Sequence, residues 1–121
     1  MSPIILITGN VTYQINLDPT IWIVDERRFD MGSRFPGIDG LGISFAPFLA
    51  NAEPAPDATQ VILHRRGKET VTLTMAEAKE AIFQFAREGK PIHPDGPALL
   101  FLADGSNRDQ PIDFIEKIEV V

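Results

Sequence analysis

"TMAEAKEAIFQFAREGKP", Thr74 to Pro91, is the stretch on which the reading of the chain turns. Thr74 and Glu77 stand in T-x-x-E spacing, where a hydroxyl and a carboxylate each satisfy one orphan backbone N–H at a helix start. Ala78, Ala81, Ile82, Phe85 and Ala86 follow as one apolar stripe, with Lys79, Glu80, Gln84, Arg87 and Glu88 turned mainly outward. Gly89 offers a left-handed cap, and Pro91 cannot resume a helix. The spacing predicts the main helix over about 75–88.

Working outward, Ala58–His64 and Val71–Thr74 read as two strands turned by "GKET". Further upstream, Ile4–Thr8 and Val11–Ile15 are apolar or alternating runs around Gly9-Asn10, which predicts a hairpin with a two-residue loop. "IWIV", Ile21–Val24, reads as a short buried strand after a turn at Leu17–Thr20. Asp25–Gly42 carries charge, glycines and a proline without a period, as a long loop would. Phe45, Phe48 and Leu49 then suit a short helix over about 44–51, with Ser44 as its cap and Pro47 in its first turn. Downstream, Pro97–Ala103 is a buried strand. Ile112–Val121 alternates, with Glu116 marring the apolar face where a bulge or a strand end is expected. The fold class expected is α+β: one mixed sheet with one main helix and one short one, in a single domain of residues 1–121.

The length of 121 residues suits one domain able to bury a core without staples. There is no cysteine, so disulfides, thiolate metal sites and a cysteine nucleophile are excluded. A net charge of −6, from 17 acidic and 11 basic residues, argues against a nucleic-acid partner. No apolar run approaches the roughly 20 residues that span a bilayer, and the start lacks a basic leader region. These features predict a cytoplasmic protein with no membrane partner.

Few residues carry chemistry. In "ADGSNRDQP", Ala103–Pro111, the order of oxygens departs from a calcium loop and Arg108 would repel a cation, so the segment reads as a turn. Arg108 is its one group suited to gripping a ligand. In "VDERRFD", Asp25 and Arg27 fall on one side of the chain, and Arg27 with Arg28 suits a carboxylate or phosphate. A solvated salt-bridge patch explains the same residues. His64 and His93 do not complete a metal site, and no serine, from Ser2 to Ser106, has a nucleophile-elbow context. Phe29 and Phe35 flank the irregular segment and are candidates to line an apolar groove. The candidate ligand-binding set is Asp25, Arg27, Arg28, Phe29, Phe35, Ser106, Arg108 and Asp109, with no metal and no cofactor.

From Gly42 onward the order of phrases resembles a known family. "GISFAPFLANAEPAPDATQVILHRRGKETVTLTMAEA" (Gly42–Ala78), "FAREGKPIHPDGPALLFLADGS" (Phe85–Ser106) and "IEKIEV" (Ile115–Val120) are similar to the latter part of the sulfite-oxidase-type molybdopterin-binding domain. The resemblance covers about two-thirds of the chain and implies a mixed α+β arrangement. That family holds molybdenum through a cysteine thiolate, which this chain lacks, so the likeness implies a reduced, cofactor-free relative. The whole chain also resembles small bacterial proteins with "LDPTIWIVDERRFD"-like and "DGSNRDQPI"-like segments, often labelled peptidyl-prolyl cis-trans isomerases. Such an activity needs an apolar cleft and a donor near the proline nitrogen. Phe29, Phe35, Phe45 and Phe48 are candidates for the cleft, with Arg108 or Arg27 as donor. The first expectation is a non-catalytic domain that binds a small molecule, a peptide or its own copies, the last through an open sheet edge. The alternative is a prolyl isomerase.

Overall fold

The predicted capping box forms: the Glu77 N–H donates to Thr74 Oγ1 at 3.1 Å, and the Thr74 N–H donates to Glu77 Oε1 at 2.9 Å. The helix it opens ends far earlier than its apolar stripe suggests. The computed structural model describes residues 3–121, so Ser2 lies outside the described residues. Its elements are β1 (Ile5–Gly9), β2 (Ile15–Leu17), a 3-10 helix (Pro19–Val24), β3 (Phe29–Asp30), a 3-10 turn (Met31–Ser33), β4 (Leu41–Ser44), α1 (Ala46–Asn51), β5 (Gln60–Arg65), β6 (Lys68–Thr74), α2 (Met75–Glu80), β7 (Ile82–Arg87), β8 (Lys90–Pro91), β9 (Leu99–Phe101) and β10 (Ile115–Val120).

The fold is α+β, with a mixed sheet and short helices, but the expected single sheet is two. The first has the order β2-β1-β10-β5-β6, with β1 and β10 parallel and the other pairs antiparallel. The second runs β3-β4-β7-β8, with β9 also paired to β7, all antiparallel. The strands expected on either side of the Ala103–Pro111 turn do not pair with each other: β9 and β10 lie in different sheets, and an isolated bridge joins Leu100 of β9 to Ile112.

The expected helix over 75–88 is corrected to α2 followed by β7. Ala81 turns to extended backbone (ψ 154), and Ile82–Ala86 are all buried. Phe83 and Phe85 enter the larger apolar cluster, whereas Ile82 joins a smaller one with Met31, Phe35, Ile92, Leu99 and Phe101. A segment that must bury opposite faces at once suits a central strand better than an amphipathic helix, which buries one stripe. Glu88 (φ 52) and Gly89 (φ 75) then make the tight turn into β8, so Gly89 serves a hairpin and not a helix cap. Gln84, buried within β7, donates through Nε2 to the Asp39 carbonyl at 2.6 Å.

Three smaller expectations also change. Gly9 belongs to β1, and residues 10–14 form the connection to β2, with Val11 bridged to Pro54. "IWIV" is helical because Asp18 caps the turn, accepting from the Thr20 N–H at 3.1 Å, and Pro19 presets its first position. Only Trp22 of those four residues is buried; Ile21 is 60% and Val24 78% exposed. Ser44 ends β4 and does not cap α1, whose N-cap is Phe45. The long irregular segment also contains β3, the 3-10 turn and the start of β4.

Other elements form within shifted bounds: Lys68–Thr70 of the expected "GKET" turn belong to β6, and the strands expected over 97–103 and 112–121 shorten to β9 and β10. The β5–β6 hairpin forms, and the register of β10 against β5 shifts at Glu116. That bulge puts Ile115 inside with Ile118 and Val120 while Glu116 stays exposed. Trp22 packs among Phe48 (4.9 Å), Phe83 (5.7 Å) and Phe85 (5.8 Å), fastening the 3-10 helix to the second sheet.

Asp113, just before β10, binds both strands of the β5–β6 hairpin. Arg65 donates to its side chain and, through Nε, to its carbonyl at 2.9 Å, and Lys68 Nζ reaches Oδ1 at 3.0 Å. Burial raises the Asp113 pKa, but the hydrogen bonds and charges of Arg65 and Lys68 outweigh it and hold the carboxyl below its ordinary range. A lowered folded-state pKa stabilises the fold above the ordinary carboxyl range, and that contribution fades as pH falls through the lowered value. Between about pH 6 and pH 2 the melting temperature should therefore fall less steeply for Asp113→Asn than for the native chain. Parallel pH profiles would refute this role for the tie.

Candidate functional site

The predicted site residues are brought near one another in part, and most are occupied by the fold. Arg27 meets Asp25 as a fork, Nε to Oδ1 at 3.0 Å and Nη2 to Oδ2 at 2.6 Å, and its backbone N–H adds a third bond at 2.8 Å. The side-chain bonds, then the backbone bond, lower the Asp25 pKa to about 2. Arg28 Nη1 donates to the Asp25 carbonyl at 2.8 Å, and the Arg27 guanidinium lies 4.9 Å from the Phe48 ring centre. The cluster closes the end of the Pro19–Val24 helix.

Phe29 is half-buried beneath Arg34, whose guanidinium stands 4.3 Å from the ring centre. Phe35 is buried, 4% exposed, and stacks on Phe101 at 5.3 Å. Phe45 and Phe48 also point inward. The four phenylalanines do not line a common groove.

The turn at Ala103–Pro111 is held from within. Asn107 accepts from the Leu102 N–H at 2.9 Å and donates to the Leu100 carbonyl at 3.1 Å. Asp104 accepts from the Ser106 N–H at 2.9 Å, which with the Ser106 side chain lowers its pKa. Arg108 reaches the irregular segment and donates to the Pro36 carbonyl. These two segments do meet, as a tether. Ser106 and Asp109 are exposed.

Two concavities lie elsewhere. A cleft of about 520 Å³ is lined by Pro3, Pro19, Thr20, Phe85, Lys90, Pro91, Ile92, His93, Gly96 and Pro97. β7 supplies Phe85, the first turn of the 3-10 helix supplies Pro19 and Thr20, and β8 with its continuation supplies the opposite wall. The Thr20 hydroxyl donates to Asp18 Oδ1 at 2.5 Å, which orients it. Gly96 is required for the shape of that wall: a Cβ there would overlap the Ile92 carbonyl and lie 2.9 Å from Ile92 Cβ. A smaller recess shares Pro19, Thr20, Phe85, Lys90 and Pro91 and extends to Ile23, so the apolar surface continues onto the 3-10 helix.

The side chains lining this cleft include an ammonium, an imidazole and a hydroxyl, but no carboxylate. Asp95, close in sequence, accepts from Arg87 Nη2 at 2.8 Å. A second groove of about 560 Å³, between α1 and α2, has both Lys79 and Glu80 on its lining and so has no net preference of sign. Sequence reasoning weighed His93 as a metal ligand and missed Thr20, Lys90 and Ile92. The available signal was proline: "LDPT" and "KPIHPDGP" are the two stiff segments that become the walls.

No group of three or more metal-ligating His, Asp or Glu occurs among the described residues. Likewise, no helix among them is long and apolar enough to cross a membrane. No known protein-family model matches the chain, and comparison with curated proteins likewise gives no match.

Proposed function

We propose that this is a non-catalytic cytoplasmic binding domain whose ligand is a small apolar molecule with one anionic end, seated in the cleft over Phe85. One observation carries the reading: an apolar cleft of about 520 Å³ has Lys90 and His93 on its lining and no carboxylate. Its size falls in the range of small-molecule sites, which are mostly apolar with a few polar groups that fix orientation. In a chain of net charge −6, the Lys90 ammonium on the lining favours a carboxylate or sulfonate over an amine. The resemblance to the sulfite-oxidase-type domain supports a scaffold put to another use. Molybdenum held through a cysteine thiolate does not fit a chain without cysteine.

The prolyl-isomerase reading named Phe29, Phe35, Phe45 and Phe48 with Arg108 or Arg27. Three of those rings are buried, and both arginines have intramolecular partners, which favours the binding reading.

The test uses 8-anilinonaphthalene-1-sulfonate as the probe. The folded protein should enhance its fluorescence, and octanoate should displace it while octylamine does not. Lys90→Glu should weaken probe binding about tenfold, a difference of about 1.4 kcal/mol. Arg108→Ala should leave it unchanged. Equal displacement by the amine, or no effect of Lys90→Glu, would overturn the reading. Faster relaxation of a short proline peptide, lost in Lys90→Glu, would favour the isomerase instead.

A further inference from the structure

Two hollows meet at Lys90. The smaller recess, of about 140 Å³, shares Pro19, Thr20, Phe85, Lys90 and Pro91 with the cleft, so the two join over the Phe85 ring. The rest of its lining is Ile23, Ala86 and Gly89, none of which has a side-chain donor or acceptor. Among the described residues, Lys90 is the one charged group on that lining. A second polar group on a ligand would lose water there and find no new side chain to replace it, which is costly. An apolar tail meets no such penalty.

Ile23 is 44% exposed in the last turn of the 3-10 helix, so it presents apolar surface that the fold leaves uncovered. Ile21 and Val24 are exposed as well, but they line neither hollow. Length decides which ligands reach Ile23. A space of about 520 Å³ is roughly 8 Å across, and an extended alkyl chain, with C–C bonds of about 1.5 Å, outruns that within roughly seven carbons. The carbons beyond must enter the recess or water, and only the recess offers them apolar atoms.

Resting on the cleft reading, we propose that the ligand is a straight-chain alkyl carboxylate longer than about seven carbons. Its head lies on the cleft side, by Lys90 and His93, and its tail passes Phe85 into the recess, against Ile23. The cleft alone would accept a compact apolar acid equally well. The joined recess makes a slender one the better fit, and Ile23 sets the preference for chain length.

Competition with anilinonaphthalene sulfonate by hexanoate, octanoate, decanoate and the compact 1-adamantanecarboxylate tests this. In the native chain each methylene beyond hexanoate should tighten binding about threefold, near the worth of a buried CH₂. Ile23→Asn puts an amide on the recess without changing charge. It should weaken decanoate by about tenfold or more and leave hexanoate and 1-adamantanecarboxylate within about twofold. Ile23→Ala, which merely shortens the contact, should weaken decanoate about threefold, and it carries the test if asparagine disturbs the helix. Ile21→Asn, on the same helix but off both hollows, should change none of the four.

Hexanoate and decanoate bound equally by the native chain would overturn this inference and leave the cleft reading standing. So would decanoate bound equally by the native chain and both Ile23 variants. Failure of all four acids to compete would sink the cleft reading, and this inference with it.

Discussion

Phe83→Ala should lower the unfolding free energy by about 3–5 kcal/mol, the range for removing a buried phenylalanine ring. Phe83 is 0% exposed and meets Trp22 at 5.7 Å and Phe45 at 5.0 Å, edge-on to the latter. Its loss would open a void between the 3-10 helix, the entry to α1 and the centre of the second sheet. None of these elements can close it without moving backbone. The urea midpoint should shift with little change in slope, whereas Ile21→Ala, at a residue 60% exposed, should shift it hardly at all. The experiment also discriminates between folds. In a helix over 75–88, Phe83 falls outside the apolar stripe and its truncation would be mild. A shift below about 1 kcal/mol would refute the strand assignment.

Gly96→Ala should have the largest effect on binding. The added methyl would meet the backbone of Ile92, which cannot rotate aside as a side chain can. The 92–96 turn must open, carrying Ile92 and His93 off the cleft wall and drawing Ile92 from the smaller apolar cluster. Anilinonaphthalene sulfonate affinity should fall by tenfold or more, about 1.4 kcal/mol at least. The fold should survive with a loss of about 1–3 kcal/mol, as overpacked sites do. Retained affinity together with the stability loss would show that this wall is not part of the site.

How far the sequence could be read depended on whether local signals and tertiary demands agreed. The Thr74–Glu77 box is a local device, and it formed. What followed it was ambiguous, because "AIFQFA" satisfies a helical stripe and a doubly buried strand equally well. Only the presence of β4 and β9 on its two sides decides the matter. "IWIV" misled in the opposite sense: β-branched residues suggested a strand, but Asp18 and Pro19 fixed a helical turn before them. Glu116 was legible because a charge on an apolar face has few solutions.

The candidate site was less legible. Charged residues drew attention to Asp25, Arg27 and Arg108, and charge is what a fold most readily uses to fasten its own loops. The cleft is built from prolines, one phenylalanine and a glycine at three separate places in the chain. Their convergence is a property of topology and leaves no spacing to find.

The parallel pairing of β1 with β10 has a consequence for synthesis. β10 is the middle strand of its sheet, seated between the earliest strand of the chain and the β5–β6 hairpin. A nascent polypeptide cannot join these halves until residues 115–120 have left the ribosome. Up to that moment β1 and β5 each lack a neighbour, and contacts so distant in sequence form slowly. The growing chain must therefore carry an unfinished β1, joined after residue 65 by an unfinished β5, until β10 emerges, a period in which holding chaperones have something to grasp.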